Sequence, residues 1–154
     1  MYSKEEAKRL KESFWTTFGQ YMSAVPSADG DKVNWVNYKT GIKHLFFRMD
    51  ATNKTANISI EISHPDASIR QLIFEQFKEL RSILHQNLEE EWEWDEVYYD
   101  ESGKQTARIS TSLDHKISIF NKEQWPDLIS FFKPRIMALD EFWSMAKYSF
   151  EIFK

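Results

Sequence analysis

At 154 residues the chain fits one α+β domain, 1–154, long enough to bury most of its apolar surface in a single core. A net charge of −4, with 29% of residues charged, gives no general attraction to nucleic acid or to an anionic membrane, so any such binding needs a local basic patch. The absence of cysteine removes disulfides, thiolate nucleophiles and cysteine-ligated zinc, and fits a reducing, cytoplasmic setting.

No apolar run is long enough to span a bilayer, and the opening residues Met1 to Glu6 do not read as a signal peptide, so no membrane association is expected. Ser3 and Glu6 have the spacing of a capping box, in which the serine side chain meets a free backbone N–H. A helix is expected from there. Its apolar stripe is Ala7, Leu10, Phe14, Phe18 or Thr17, Tyr21 and Val25, and Pro26 and Gly30 end it. The loop Pro26 to Lys32 reads as a solvated connector. Val33 to Gly41 follows as a short lead-in strand with Trp35 packed inward, although Trp35, Asn37, Tyr38 and Lys39 combine stacking surface, amides and a cation.

Ile42 to Ser63 is the stretch around which the rest is organised, a β-hairpin with period-two alternation. Ile58, Ile60 and Ile62 share one face with Leu45, Phe47 and Met49. Asn57, Ser59 and Glu61 share the other with His44, Phe46, Arg48 and Asp50. Ala51 to Thr55 makes the turn, and helices are needed on the apolar face. His64, Pro65 and Asp66 open a second helix whose buried stripe runs Ile69, Leu72, Ile73, Phe77, Leu80, Leu84 and Leu88, with Arg70, Glu75, Lys78, Glu79 and Arg81 in solvent.

A second hairpin pairs Trp92 to Tyr99 with Gln105 to Ser112, with Gly103 supplying positive φ in the turn. The order helix, strand, strand thus occurs twice, and Ala56 to Ile60 resembles Ala107 to Thr111, which suggests an internal duplication. Lys116 to Phe120 reads as one more short strand. Helix resumes from Glu123, Pro134 should interrupt or kink it, and Ile136, Leu139, Trp143, Ala146, Phe150 and Phe153 describe its final amphipathic run. The predicted fold is α+β: an antiparallel sheet from two hairpins packed by helices, in the order α-β-β-α-β-β-α with a broken C-terminal helix.

The motifs exclude more chemistry than they name. His44, His64, His85 and His115 lack the paired spacing of a zinc site, and there is no phosphate loop, dinucleotide fingerprint or Gly-x-Ser-x-Gly elbow, so no metal, cofactor or catalytic residue is assigned. Asp50 and Glu61 approximate a two-metal nuclease layout, but Ser63 stands where its lysine should be. Glu89 to Glu91, with Glu93, Asp95 and Glu96, reads as a solvated acidic face. The constellation worth keeping is the polar face of the first hairpin and its surroundings. Its binding candidates are Trp35, Tyr38, Lys39, Lys43, Arg48, Glu61 and His64. Such a face can stack bases or dock a peptide; covered by a helix, it would leave Arg48 and Glu61 as an ordinary cross-strand pair.

The segments Phe14 to Met22, Trp35 to Ile42, Phe47 to Asp50, Trp125 to Arg135 and Leu139 to Trp143 resemble an uncharacterised bacterial domain family, DUF4268, over nearly the whole chain. The resemblance implies a domain found alone or behind a restriction-endonuclease-like module, and hence a link to DNA processing or defence. It brings no catalytic residues. The first expectation is therefore a non-enzymatic interaction module that binds a protein partner or itself. The second is an accessory nucleic-acid-binding domain using Lys39, Lys43, Arg48 and nearby rings, and an enzyme of unidentified class is third.

Overall fold

In the computed structural model, which describes residues 2–154, Ser3 caps the first helix as its sequence predicts: the Ser3 side chain accepts the Glu6 N–H at 3.1 Å. Met1, the first residue of the stretch read as no signal peptide, lies outside the described residues. Helix α1 spans Lys4–Met22 and buries Phe14, Phe18 and Met22. Two members of the predicted stripe fall elsewhere. Tyr21 is half exposed, because a four-residue step from Phe14 and Phe18 lands on Met22, and Val25 lies beyond the helix end.

The segment that follows forms no strand beyond a single bridge between Lys39 and Phe46. Trp35 does pack inward, donating Nε1–H to the Val25 carbonyl at 3.0 Å.

Strands β1 (Leu45–Ala51) and β2 (Ala56–Ile62) form the first hairpin, and β3 (Glu93–Tyr99) and β4 (Gln105–Ser112) the second. All pairs are antiparallel, in the order β1-β2-β4-β3. Ile58, Ile60, Ile62, Ala107 and Ile109 fill the apolar face with Leu45 and Phe47, and Met49 is half-buried beside them. The seam between the hairpins has local two-fold symmetry. Ser59 and Ser110, equivalent in the two similar pentapeptides, are also each other's partners across β2 and β4, as an axis between them requires. The helices do not follow that symmetry: α1 packs on the final helix, whereas the helical stretch before the second hairpin divides, its first part packing on β2 and β4 and its second on the final helix.

That second helix is two. α2 (Ala67–Glu79) and α3 (Arg81–Leu88) meet at Leu80, which leaves helical geometry at φ −100° and ψ 11°. Leu72 is exposed and Arg70 is buried, the reverse of the predicted faces. The reason is polar: Arg70 Nη1 donates to the His64 carbonyl at 2.8 Å and Nη2 to Gln105 Oε1 at 2.6 Å, tying the start of α2 to β4.

Lys116 to Phe120 is not a strand. Instead the Ile117 and Ile119 N–H groups donate to the Lys54 and Thr52 carbonyls and close the first hairpin's turn. The last helix, α4 (Trp125–Ala146), is followed by a 3₁₀ run, Lys147–Phe153. The break therefore falls at Lys147. Pro134 is accommodated within α4 on its exposed side, where water can serve the carbonyl that proline leaves without a donor. Helix α4 touches β1 and β2 of the sheet and, among the helices, α1 and α3, while α2 packs directly on β2 and β4. Phe47, Phe77, Phe142, Trp143 and Phe150 pack around its C-terminal half. Among the described residues, no helix is long and apolar enough to cross a membrane.

Candidate functional site

Alternation decides what the outer face of the sheet carries. Across the strands, one row reads Phe46, Glu61, Arg108, Asp95; the next Arg48, Ser59, Ser110, Glu93; and a further one Asp50, Asn57, Ser112. The serines are small enough that the long side chains around them bury both, Ser59 at 5% exposure and Ser110 at 1%. The result is a groove of about 530 Å³ that reaches Ser59 and Ser112 but not Ser110, lined by strand and turn residues and by no helix.

The groove's two arginines are held differently. Arg48 Nε donates to Glu61 Oε2 at 2.7 Å, and its guanidinium lies 4.2 Å from the centre of the Phe46 ring. Arg108 lies 3.8 Å from the centre of the Tyr98 ring; its Nε is buried without a hydrogen-bond partner, and it joins none of the ion pairs among the described residues. Carboxylates dominate the rim, with Asp50 at one end and Asp100 and Glu101 at the other. Asp100 organises the β3–β4 turn: its Oδ1 accepts the Ser102 hydroxyl at 2.7 Å and the Lys104 N–H at 2.9 Å, which holds its carboxyl below the usual range.

A second groove, of about 460 Å³, runs along the outer side of β1 and is lined by Trp15, Asn37, Tyr38, Lys39, Phe46 and Arg48 among others. Its lining holds two cations and no carboxylate. The Tyr38 ring stacks on Phe47 with 5.2 Å between centres, and its hydroxyl donates to Asp140 Oδ1. Burial first, and then that carboxylate, push the Tyr38 hydroxyl well above its ordinary ionisation range.

The predicted candidates thus separate. Tyr38, Lys39 and Arg48 converge on the β1 groove, and Arg48 also lines the face groove, together with Glu61. Lys43 is exposed and lines neither, and Trp35 is in the core at 3% exposure. His64 accepts the Asp66 N–H on Nδ1 at 3.0 Å, and its ring meets His44 edge-on at 5.0 Å. Sequence reasoning missed Tyr98, Arg108 and Asp100. The signal was present in the alternation of Thr106, Arg108, Ser110 and Ser112, but the adjacency of β4 to β2 that brings them to the first hairpin's face was not.

Asp50 and Glu61 share the face but stand four positions apart along the ladder, roughly 13 Å at the rise of a strand, too far to hold one pair of metal ions. Among the described residues, no group of three or more His, Asp or Glu side chains is placed to hold a metal ion. In the acidic run, Glu90 is no free carboxylate. It takes Arg135 Nε and Nη2 at 2.8 and 2.9 Å and Trp92 Nε1 at 2.7 Å.

These features define a two-layer α+β domain with helices on one side of a four-stranded antiparallel sheet and a polar, helix-free groove on the other. The chain belongs to the domain of unknown function family DUF4268, which matches it over residues 10–147. Neither a curated protein nor a solved structure matches it.

Proposed function

We propose that this domain is a non-enzymatic interaction module that receives an extended segment of a partner protein on the outer face of its sheet. One observation carries the reading: the groove over Ser59 and Ser112 has no helix in its lining, and offers side chains of both charges, hydroxyls and an amide along two central strands. An extended chain presents its side chains at the same spacing, so a strand-floored groove suits it. The absence of cysteine and the family resemblance favour a bacterial, cytoplasmic setting.

The test is photo-crosslinking in cells, with a photoreactive residue replacing Asn57 or Arg48 in the groove, or Glu12 on the exposed side of α1. Protein adducts confined to the groove positions, and lost when Ser59 is replaced by Trp to fill the floor, are the expected result. Equal adducts from Glu12, or none, would overturn the reading. Self-association belongs to the same class and is supported by the exposed row Met145, Tyr148 and Ile152; a sedimentation series over protein concentration, with Ile152→Lys as control, tests it.

The β1 groove supports a second reading, an accessory nucleic-acid-binding domain, because Lys39 and Arg48 flank aromatic surface there without a carboxylate in the lining. Binding to single-stranded DNA or RNA that weakens with salt and is lost in Lys39→Ala would support it; no binding at low salt would end it.

A further inference from the structure

We infer that the partner segment carries an acidic residue received by Arg108 and a basic residue four positions away received by Asp50. This inference rests on the reading of the sheet's outer face as a docking groove.

Arg108 is the one arginine of the groove that makes no ion pair among the described residues. Glu61 stands opposite it on β2 but is engaged by Arg48, and Asp95 stands opposite it on β3 yet forms no ion pair with it. Stacking on Tyr98 fixes the guanidinium plane while leaving its charge unneutralised. A planar cation held in this way is suited to a carboxylate, which it can meet with two parallel hydrogen bonds.

The rest of the groove says which molecule brings that carboxylate. Asp50, Glu61, Asp100 and Glu101 in the lining repel a polyanion, so a run of phosphates is disfavoured and a single acidic side chain is not. Asp50, in the row of Asn57 and Ser112, makes no ion pair among the described residues and lies four strand positions from the row of Glu61 and Arg108. In an extended segment laid along the groove, residues four apart point the same way and span that same length of roughly 13 Å. Glu-x-x-x-Lys, or its reverse, is the complement. The Ser59 hydroxyl lies between the two rows for an intervening polar group, and Asn57 and Ser112 stand beside Asp50.

The experiment is a titration of the whole isotope-labelled domain, followed by amide and arginine Nε–H resonances. The probes are acetylated and amidated peptides containing Glu-Ser-Thr-Ser-Lys, the same peptide with Gln for Glu, and the same with Gln for Lys. The expected result is saturable shifts at Arg108, Ser110, Ser59 and Asn57 with the first peptide, weakened about tenfold by Gln for Glu or by Arg108→Ala. Asp50→Asn should remove only the preference for Lys over Gln. Arg108→Gln, nearer in shape, accompanies Arg108→Ala, and the amide spectrum of each variant reports whether it folds. Equal affinity for the Glu and Gln peptides, unchanged binding by folded Arg108 variants, or no shift at these residues overturns the inference. If crosslinks from the groove persist in cells while the peptides fail, only the charge pattern falls. If both fail, the docking reading falls too.

Discussion

Tyr38 and Asp140, 102 residues apart, meet through the hydrogen bond from the Tyr38 hydroxyl to Asp140 Oδ1 at 2.5 Å. The other carboxylate oxygen accepts the Ala28 N–H at 2.7 Å, so one buried aspartate on α4 holds both the loop after α1 and the segment before β1. That clasp makes stability depend on alkaline pH. An unfolded tyrosine ionises near pH 10.0, whereas the folded Tyr38 keeps its proton to higher pH. The contribution is fully present below the unfolded value and is lost as pH rises above it, because the unfolded chain then releases a proton that the folded one retains. Tyr38→Phe should flatten this alkaline decline and, at neutral pH, lower stability by about 1.5–3 kcal/mol through the unanswered Asp140 oxygen. Urea unfolding between about pH 7 and pH 11 measures both; parallel curves for the two proteins would refute the linkage.

Arg70 is a structural cation. Its removal in Arg70→Ala strands the Gln105 side-chain oxygen and the His64 carbonyl, and should cost about 2–4 kcal/mol. Arg70→Lys should recover only part, since a single ammonium cannot reach both acceptors with the guanidinium's fork. Thermal melts of the pair decide this.

Arg48 should behave oppositely. Its pair with Glu61 is short, but the Arg48 side chain is 53% exposed, so Arg48→Ala should change folding stability by less than about 1 kcal/mol. A larger loss in chemical denaturation would mean that Arg48 supports the fold, and its use as a probe of binding would fail.

Glu89 ends α3 in the left-handed conformation, with φ 56°, where a side chain is strained and glycine is not. Glu89→Gly should therefore stabilise the domain by about 0.5–1 kcal/mol, despite the freer unfolded chain. A lower melting temperature would show that the Glu89 side chain does more than accept the strain.

Much of the fold was legible because it rests on local pattern. Alternation through Ile58, Ile60 and Ile62 defined the sheet's two faces, and Ser3 and Asp66 marked helix starts by side chains that do accept the expected N–H groups. What was not legible is tertiary. Arg70 looks like a surface residue until the Gln105 oxygen is brought to it, and the inward packing of Trp35 was legible but not the Val25 carbonyl that accepts its N–H. The groove was half visible. Arg48 and Glu61 belong to one hairpin and could be paired from spacing alone, whereas Arg108 joins them only because β4 adds to β2, a choice among strand orders that no local signal makes.

The closing of the first hairpin's turn by Leu113, Ile117 and Ile119 also sets an order of events during synthesis. A ribosome delivers Thr52 and Lys54 long before the N–H groups that will answer their carbonyls, and β2 emerges without the β4 that will cover its inner edge. Until that later segment has emerged, the growing chain exposes an unpaired strand edge to its neighbours on the same message, the condition in which nascent chains cross-pair.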